Sequence, residues 1–157
     1  MKVVIHIDGA CRGNPGPASV GVSIADATGK TLKEFCRYIG ETTNNVAEYT
    51  ALEEALRLAA SLGATRVCVR SDSQLLVRQF NGQYRVKNPR LMEHLLTIQR
   101  LRRSFESVEL VHVPREENKR ADRLANDALD AVKKSPDGLP GTPLELLKSQ
   151  LSRELLK

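Results

Sequence analysis

Tryptophan is missing from this chain, and aromatic residues make up only 4% of its 157 positions. So few rings argue against a single-strand binder built on stacked aromatic platforms, and favour recognition of a duplex or a backbone. Cysteine is scarce as well. Cys11, Cys36 and Cys68 are an odd number without metal-ligand spacing, and the apolar strand-like runs around Cys36 and Cys68 suit small core residues. This usage points to a reducing, cytoplasmic setting. No uninterrupted apolar run is long enough to span a bilayer, and no basic, apolar and small-residue succession precedes the strand-like run from Lys2. A soluble, unprocessed, monomeric chain without a membrane partner is expected. Internal repeats and low-complexity tracts are lacking too.

What is present is enough apolar material, 41% of the residues, for one sizeable core. Lysine and arginine outnumber the acids by 24 to 19, a net charge of +5 with a pI near 9.3, which suits a polyanionic partner. "KVVIHID", "VGVSIAD" and "TLKEFCRYIG" read as three strands joined by a Gly/Pro loop and a short turn at "ATGK", hence an antiparallel meander. A helix follows, with Thr42, Thr43 or Asn44 as its N-cap and Gly63 as its stop. Then come the strand "TRVCVRS", a helix over 73–80, a break at "NGQYRVKNP" and a helix over 90–105. The strand "SVELVHV" and a helix over 118–133 complete the series. Helices alternating with the later strands imply crossover units. The fold class is therefore α/β, a mixed five-stranded sheet in which an antiparallel meander is followed by parallel strands, flanked by helices. One domain is expected over 1–133. "KSPDGLPGTP" reads as a linker over 134–143, and leucines at helical spacing give an amphipathic tail over 144–157.

Glu48 is out of place in this scheme. At about 100° per residue it shares a helix face with Ala51, Leu52, Ala55, Leu56, Ala59 and Leu62, where the core should be. A carboxylate removed from water costs several kcal/mol unless something compensates it. Asp8 at the end of the first strand and Asp72 at the end of the fourth fall at the sheet edge where ligand sites form in α/β proteins. Asp122 lies in the first turn of the last helix, beside the stripe Ala121, Leu124, Ala125, Ala128 and Leu129. Singly, these three acids also suit a turn, an N-cap and a helix-dipole partner. Together with Glu48 they make a crowd of like charges that hard divalent cations relieve, and oxygen-only ligands favour Mg²⁺ or Mn²⁺ over zinc. A pair of such ions is suited to phosphodiester hydrolysis.

"IDGACRGNPGPASVG", "TTNNVAEYTAL", "SDSQLLVRQFNG", "VKNPRL" and "VPREENKRADRLAN" stand in the order and spacing of the motifs of type 1 ribonuclease H, which the chain resembles from about Lys2 to Lys133. The resemblance implies an RNase H-like fold and a metal-dependent endonuclease. Such an enzyme hydrolyses the RNA strand of an RNA–DNA hybrid by a two-metal-ion mechanism, leaving 5′-phosphate and 3′-hydroxyl ends. Its four metal-holding acids fall on Asp8, Glu48, Asp72 and Asp122. Its contacts to the minor groove and RNA 2′-hydroxyls fall on Gly13, Asn14, Asn44, Asn45 and Gln74, with Gly16 helping the backbone approach. Its pocket for a DNA phosphate falls on Thr43 and Asn88. Amide side chains both donate and accept, which suits a 2′-hydroxyl.

His112 stands at the spacing from Asp122 where some relatives carry a histidine that assists product or proton release, although "LVHVP" reads as a strand end, and a structural role is equally open. Arg115 and Asn118 either shape the helix start or touch substrate. Two departures stand out. Glu41 occupies the place of an arginine near the phosphate pocket, so the pocket is either weaker or completed by Arg37, Lys87 or Arg90. Only "FNGQYR" stands where many bacterial members insert a basic, tryptophan-rich handle, so binding should rest on diffuse charge and depend on salt. The alternatives are a catalytically silent hybrid-binding domain, or the same chemistry extended to double-stranded RNA.

Overall fold

The computed structural model describes residues 1–133; the expected linker over 134–143 and tail over 144–157 lie outside the described residues. Strands β1 (Lys2–Cys11), β2 (Gly16–Asp26) and β3 (Thr31–Thr42) form the antiparallel meander, and β4 (Arg66–Ser71) and β5 (Ser107–His112) add to it in parallel. The sheet order is β3-β2-β1-β4-β5. Helices α1 (Asn44–Ser61), α2 (Gln74–Phe80), α3 (Pro89–Arg102) and α4 (Lys119–Lys133) connect and flank it, with a 3₁₀ turn at Arg115–Glu117 ahead of α4. This is the architecture expected from the sequence.

Three of these four helices begin on a side-chain cap. Thr43 caps α1 by accepting from the Val46 amide (3.3 Å), Ser73 caps α2 through the Leu76 amide (3.2 Å), and Asn88 caps α3 through the amides of Arg90 (2.9 Å) and Leu91 (3.3 Å). Gly63, at φ +79°, ends α1 as expected. Alternation in β1 sends Val3, Ile5 and Ile7 to one face, where they meet Val20, Val22 and Ile24 of β2, Val67 and Val69 of β4, and Leu52, Ala55 and Leu56 of α1, all in one core. Helix α4 packs on the opposite face against β1, β2 and β3 through Ala121, Leu124, Ala125, Ala128 and Leu129.

Three local readings change. The Gly/Pro stretch is mostly strand, because β1–β2 pairing continues to Cys11↔Ala18 and the Arg12 amide closes the turn on the Pro17 carbonyl (2.9 Å). Asp8 is thus inside its strand, not at its end. It is nevertheless the first β1 residue beyond the last pair with β4, Ile7↔Ser71, so on that side the ladder has ended. Helix α3 stops at Arg102 instead of continuing to Phe105. Cys36 and Cys68 are half-buried rather than core residues, since they point away from the α1 face.

Candidate active site

Asp8 pairs across the sheet with Gly21 and is followed by Gly9, and these two glycines bring two helices against it. A Cβ at Gly9 would stand 2.6 Å from the Ala47 carbonyl oxygen and overlap the amide nitrogen of Glu48, so α1 touches the strand at its acidic residue. A Cβ at Gly21 would stand 2.7 Å from the Ala125 amide nitrogen and overlap the Ala121 carbonyl, so α4 rests on β2 beside Asp122. An isolated glycine inside a strand is a sign of such close approach. That signal was available in "IDGA" and "VGVS".

Asp8, Glu48 and Asp72 each place a carboxylate oxygen within 4.8 Å of the others, a group that could hold a metal ion. Asp122 stands outside this trio but shares a side-chain hydrogen bond with Asp8. Asp8 is only 6% exposed. Burial, then the charge of Asp72, then the hydrogen bond and charge of Asp122 push its pKa up to about 8, with the Arg115 guanidinium acting the other way. Burial and the charges of Asp8 and Asp72 likewise raise Glu48 well above the ordinary carboxylate range, although the Gly9 amide donates to it. One Glu48 oxygen, Oε2, is buried without a hydrogen-bond partner. Crowded acids, an orphaned buried oxygen and an all-oxygen donor set fit a hard divalent cation.

The acids line a cleft of about 500 Å³ with Asn44, His112, Arg115, Arg12, Cys11 and Asn126. His112 is exposed at the end of β5, within the same cleft. Of the expected substrate contacts, Asn44 lines this cleft, whereas Gly13, Asn14, Thr43, Asn45, Gln74 and Asn88 lie outside its lining. Asn14 accepts the Asn44 amide on its Oδ1 (3.1 Å), adding a partner for the start of α1. Arg37 is committed to Glu54 on α1 (2.5 Å), while Lys87 and Arg90 are exposed beside Asn88.

Asn118, fully buried, donates to the Ile7 carbonyl (2.8 Å), and its own carbonyl receives the Asp122 amide (3.2 Å). It therefore ties the start of α4 to the residue before Asp8. Asn118→Ala should lower stability by about 1–2 kcal/mol, the loss of a buried bond partly offset because Asn118 Oδ1 is itself unpartnered. Cleavage should fall further than that loss of folded protein explains. Melting and turnover measured on one preparation check both.

Comparison with known proteins agrees with this geometry. A family model described as reverse transcriptase-like matches residues 6–128. Ribonuclease HI of Halobacterium salinarum is 43% identical over 129 residues, 82% of this chain and 65% of that protein. The RNase H1 crystal structure from the same organism superposes with a TM-score of 0.81 at 42% identity, covering 83% of this chain and 98% of that one. The chain belongs to the type 1 ribonuclease H family. LC11-RNase H1, isolated from compost, was solved in complex with an RNA/DNA hybrid and is similar at 47% identity and TM-score 0.80, covering 84% of this chain and 99% of that one. The bifunctional protein Rv2228c of Mycobacterium tuberculosis is 47% identical over 136 residues, 86% of this chain but only 37% of that protein. This ribonuclease H chain thus spans little more than a third of that curated relative. Among its described residues, no helix is long and apolar enough to cross a membrane.

Proposed function

We propose that the chain is a monomeric, cytoplasmic endonuclease that hydrolyses the RNA strand of RNA–DNA hybrids, leaving 5′-phosphate and 3′-hydroxyl ends. The observation that carries this is the convergence of Asp8, Glu48 and Asp72 within 4.8 Å, with Asp122 bonded to Asp8, in a solvent-open cleft. The LC11 complex with a hybrid, at 47% identity, supports the substrate. Three cysteines without metal-ligand spacing suit the compartment.

The four acids would hold two Mg²⁺ or Mn²⁺ ions, which, when bound, supply Lewis acidity for activating water and neutralising the leaving oxygen. The protein's part is placement. Burial keeps Asp8 and Glu48 poorly solvated, so their oxygens bind cations more readily than they tolerate bare charge. Arg115 and the net charge of +5 draw the phosphate backbone to the cleft. Asn44 in the cleft, with Asn14, Asn45 and Gln74 beyond it, offers amides to the minor groove and the 2′-hydroxyls, and Gly13 lets the backbone come close. Thr43 and Asn88 would receive a phosphate of the DNA strand. His112, exposed in the cleft, would take up or deliver a proton near the product end.

The test is cleavage of end-labelled RNA–DNA hybrid, double-stranded RNA and double-stranded DNA, with Mg²⁺, with Mn²⁺ and with chelator. Metal-dependent cutting of the hybrid's RNA strand alone is expected. Binding without cutting under every condition would replace this reading with a silent hybrid-binding domain, and cutting of double-stranded RNA would widen the substrate class.

A further inference from the structure

Asn126 sits one turn beyond Asp122 on α4. Its Nδ2 donates to the Asp122 carbonyl (2.9 Å) and to the Asp122 carboxylate Oδ1 (3.3 Å). Its Oδ1 accepts from Arg12 Nη2 (3.4 Å), the same nitrogen that pairs with Asp130 Oδ1 (2.6 Å). Arginine has no acceptor, so only the oxygen end of the amide can face Arg12, which leaves the nitrogen end facing Asp122. Arg12 also opens the 12–15 turn that carries Gly13 and Asn14, between β1 and β2. Arg12, Asp122 and Asn126 all line the cleft, and Asp8 lies at the far end of the same chain of hydrogen bonds.

We infer that Asn126 is a positioning residue for Asp122, and that Arg12 sets the orientation of its amide and ties the 12–15 turn to the acid on α4. The inference rests on the reading of Asp122 as a metal-holding acid. The Asn126 donor grips the Asp122 carboxylate from one turn along the helix and keeps it turned toward the trio.

The experiment compares the full chain with Asn126→Ala, Arg12→Met and the double variant, by Mg²⁺ titration calorimetry without nucleic acid and by hybrid cleavage across Mg²⁺ concentrations. Outer partners of metal ligands typically account for about ten- to hundred-fold in affinity or activity. Asn126→Ala should weaken Mg²⁺ binding and lower kcat by that order, with KM for the hybrid and the melting temperature unchanged, since alanine suits a half-exposed helical position. Arg12→Met should show a smaller change of the same kind, and the double variant should be no worse than Asn126→Ala alone. Unaltered Mg²⁺ affinity and kcat in Asn126→Ala would overturn the inference. An Arg12→Met effect confined to KM and fully additive would overturn the part assigned to Arg12, making it a direct phosphate contact. The calorimetric arm reads the inference even if the parent cuts no hybrid, so its failure is separable from that of the proposed activity.

Discussion

Asp8→Asn is expected to be inert toward hybrid and, in chelator, more stable than its parent. The loss of cleavage should reach at least about a thousandfold, because cations held by an incomplete acid set forfeit several kcal/mol of transition-state stabilisation. The gain in stability follows from burial. Asp8 titrates near 8 in the fold against an ordinary 3.8, so between those values the folded chain holds a proton that the unfolded chain has released. Stability of the metal-free parent therefore falls as pH rises through that window, and the whole cost, of order a few kcal/mol, is present above it. Asparagine keeps the shape without the charge. Melting in chelator from pH 4 to 9 should fall steeply for the parent and less steeply for the variant, with Glu48 responsible for the remaining slope because it too is raised. Adding Mg²⁺ at pH 8 should raise the parent's melting temperature and scarcely move the variant's. A variant that still cuts would remove Asp8 from the reaction, and superimposable pH profiles would mean that its carboxyl is solvated in the fold.

The sequence made the sheet and the acid set legible because both rest on strong local signals. The β-branched alternation of "KVVIHID" recurs in the structure where it was read, and Thr43, one of three residues offered as the first helix's N-cap, is the one that caps it. A carboxylate at Glu48 on an apolar face had few explanations other than a buried site. The extent of β1 and β2 was less legible, since ladder pairing through Cys11↔Ala18 is a tertiary choice that overrides the loop preference of glycine and proline. Asn126 and Arg12 were illegible for another reason. Their roles exist only when a turn after β1 meets α4, residues 114 positions apart in the chain, and nothing local distinguishes them from solvated polar residues. Asp122 stands between these cases: its place at the start of α4 was readable, but not that it would bond to Asp8 from outside the trio.

Gly9→Ala and Gly21→Ala test how that trio and its fourth acid are held. In each, the added methyl meets backbone, Ala47 and Glu48 in one case and Ala121 and Ala125 in the other, and backbone cannot rotate aside as a side chain would. One helix must lift from the sheet. Overpacking costs about 1–3 kcal/mol, and with backbone as the obstacle the upper end applies, roughly 10 °C of melting temperature for a chain of this size. Activity should suffer more than stability. Lifting α1 displaces Glu48 from Asp8 and Asp72, and lifting α4 displaces Asp122, so turnover should drop at least about tenfold at temperatures where each variant is fully folded, since misplacement by about 1 Å costs on the order of a hundredfold. Gly29→Ala is the control. Gly29 lies at φ +94° in the β2–β3 turn with open space around it, so alanine there strains the turn by about 1–2 kcal/mol without touching either acidic helix. It should melt earlier and cut at the parent's rate. If Gly9→Ala and Gly21→Ala behaved like Gly29→Ala, losing stability but not turnover, the close approach of α1 and α4 would serve packing alone. The positions of Glu48 and Asp122 would then have to be fixed by something other than the two glycines beside Asp8.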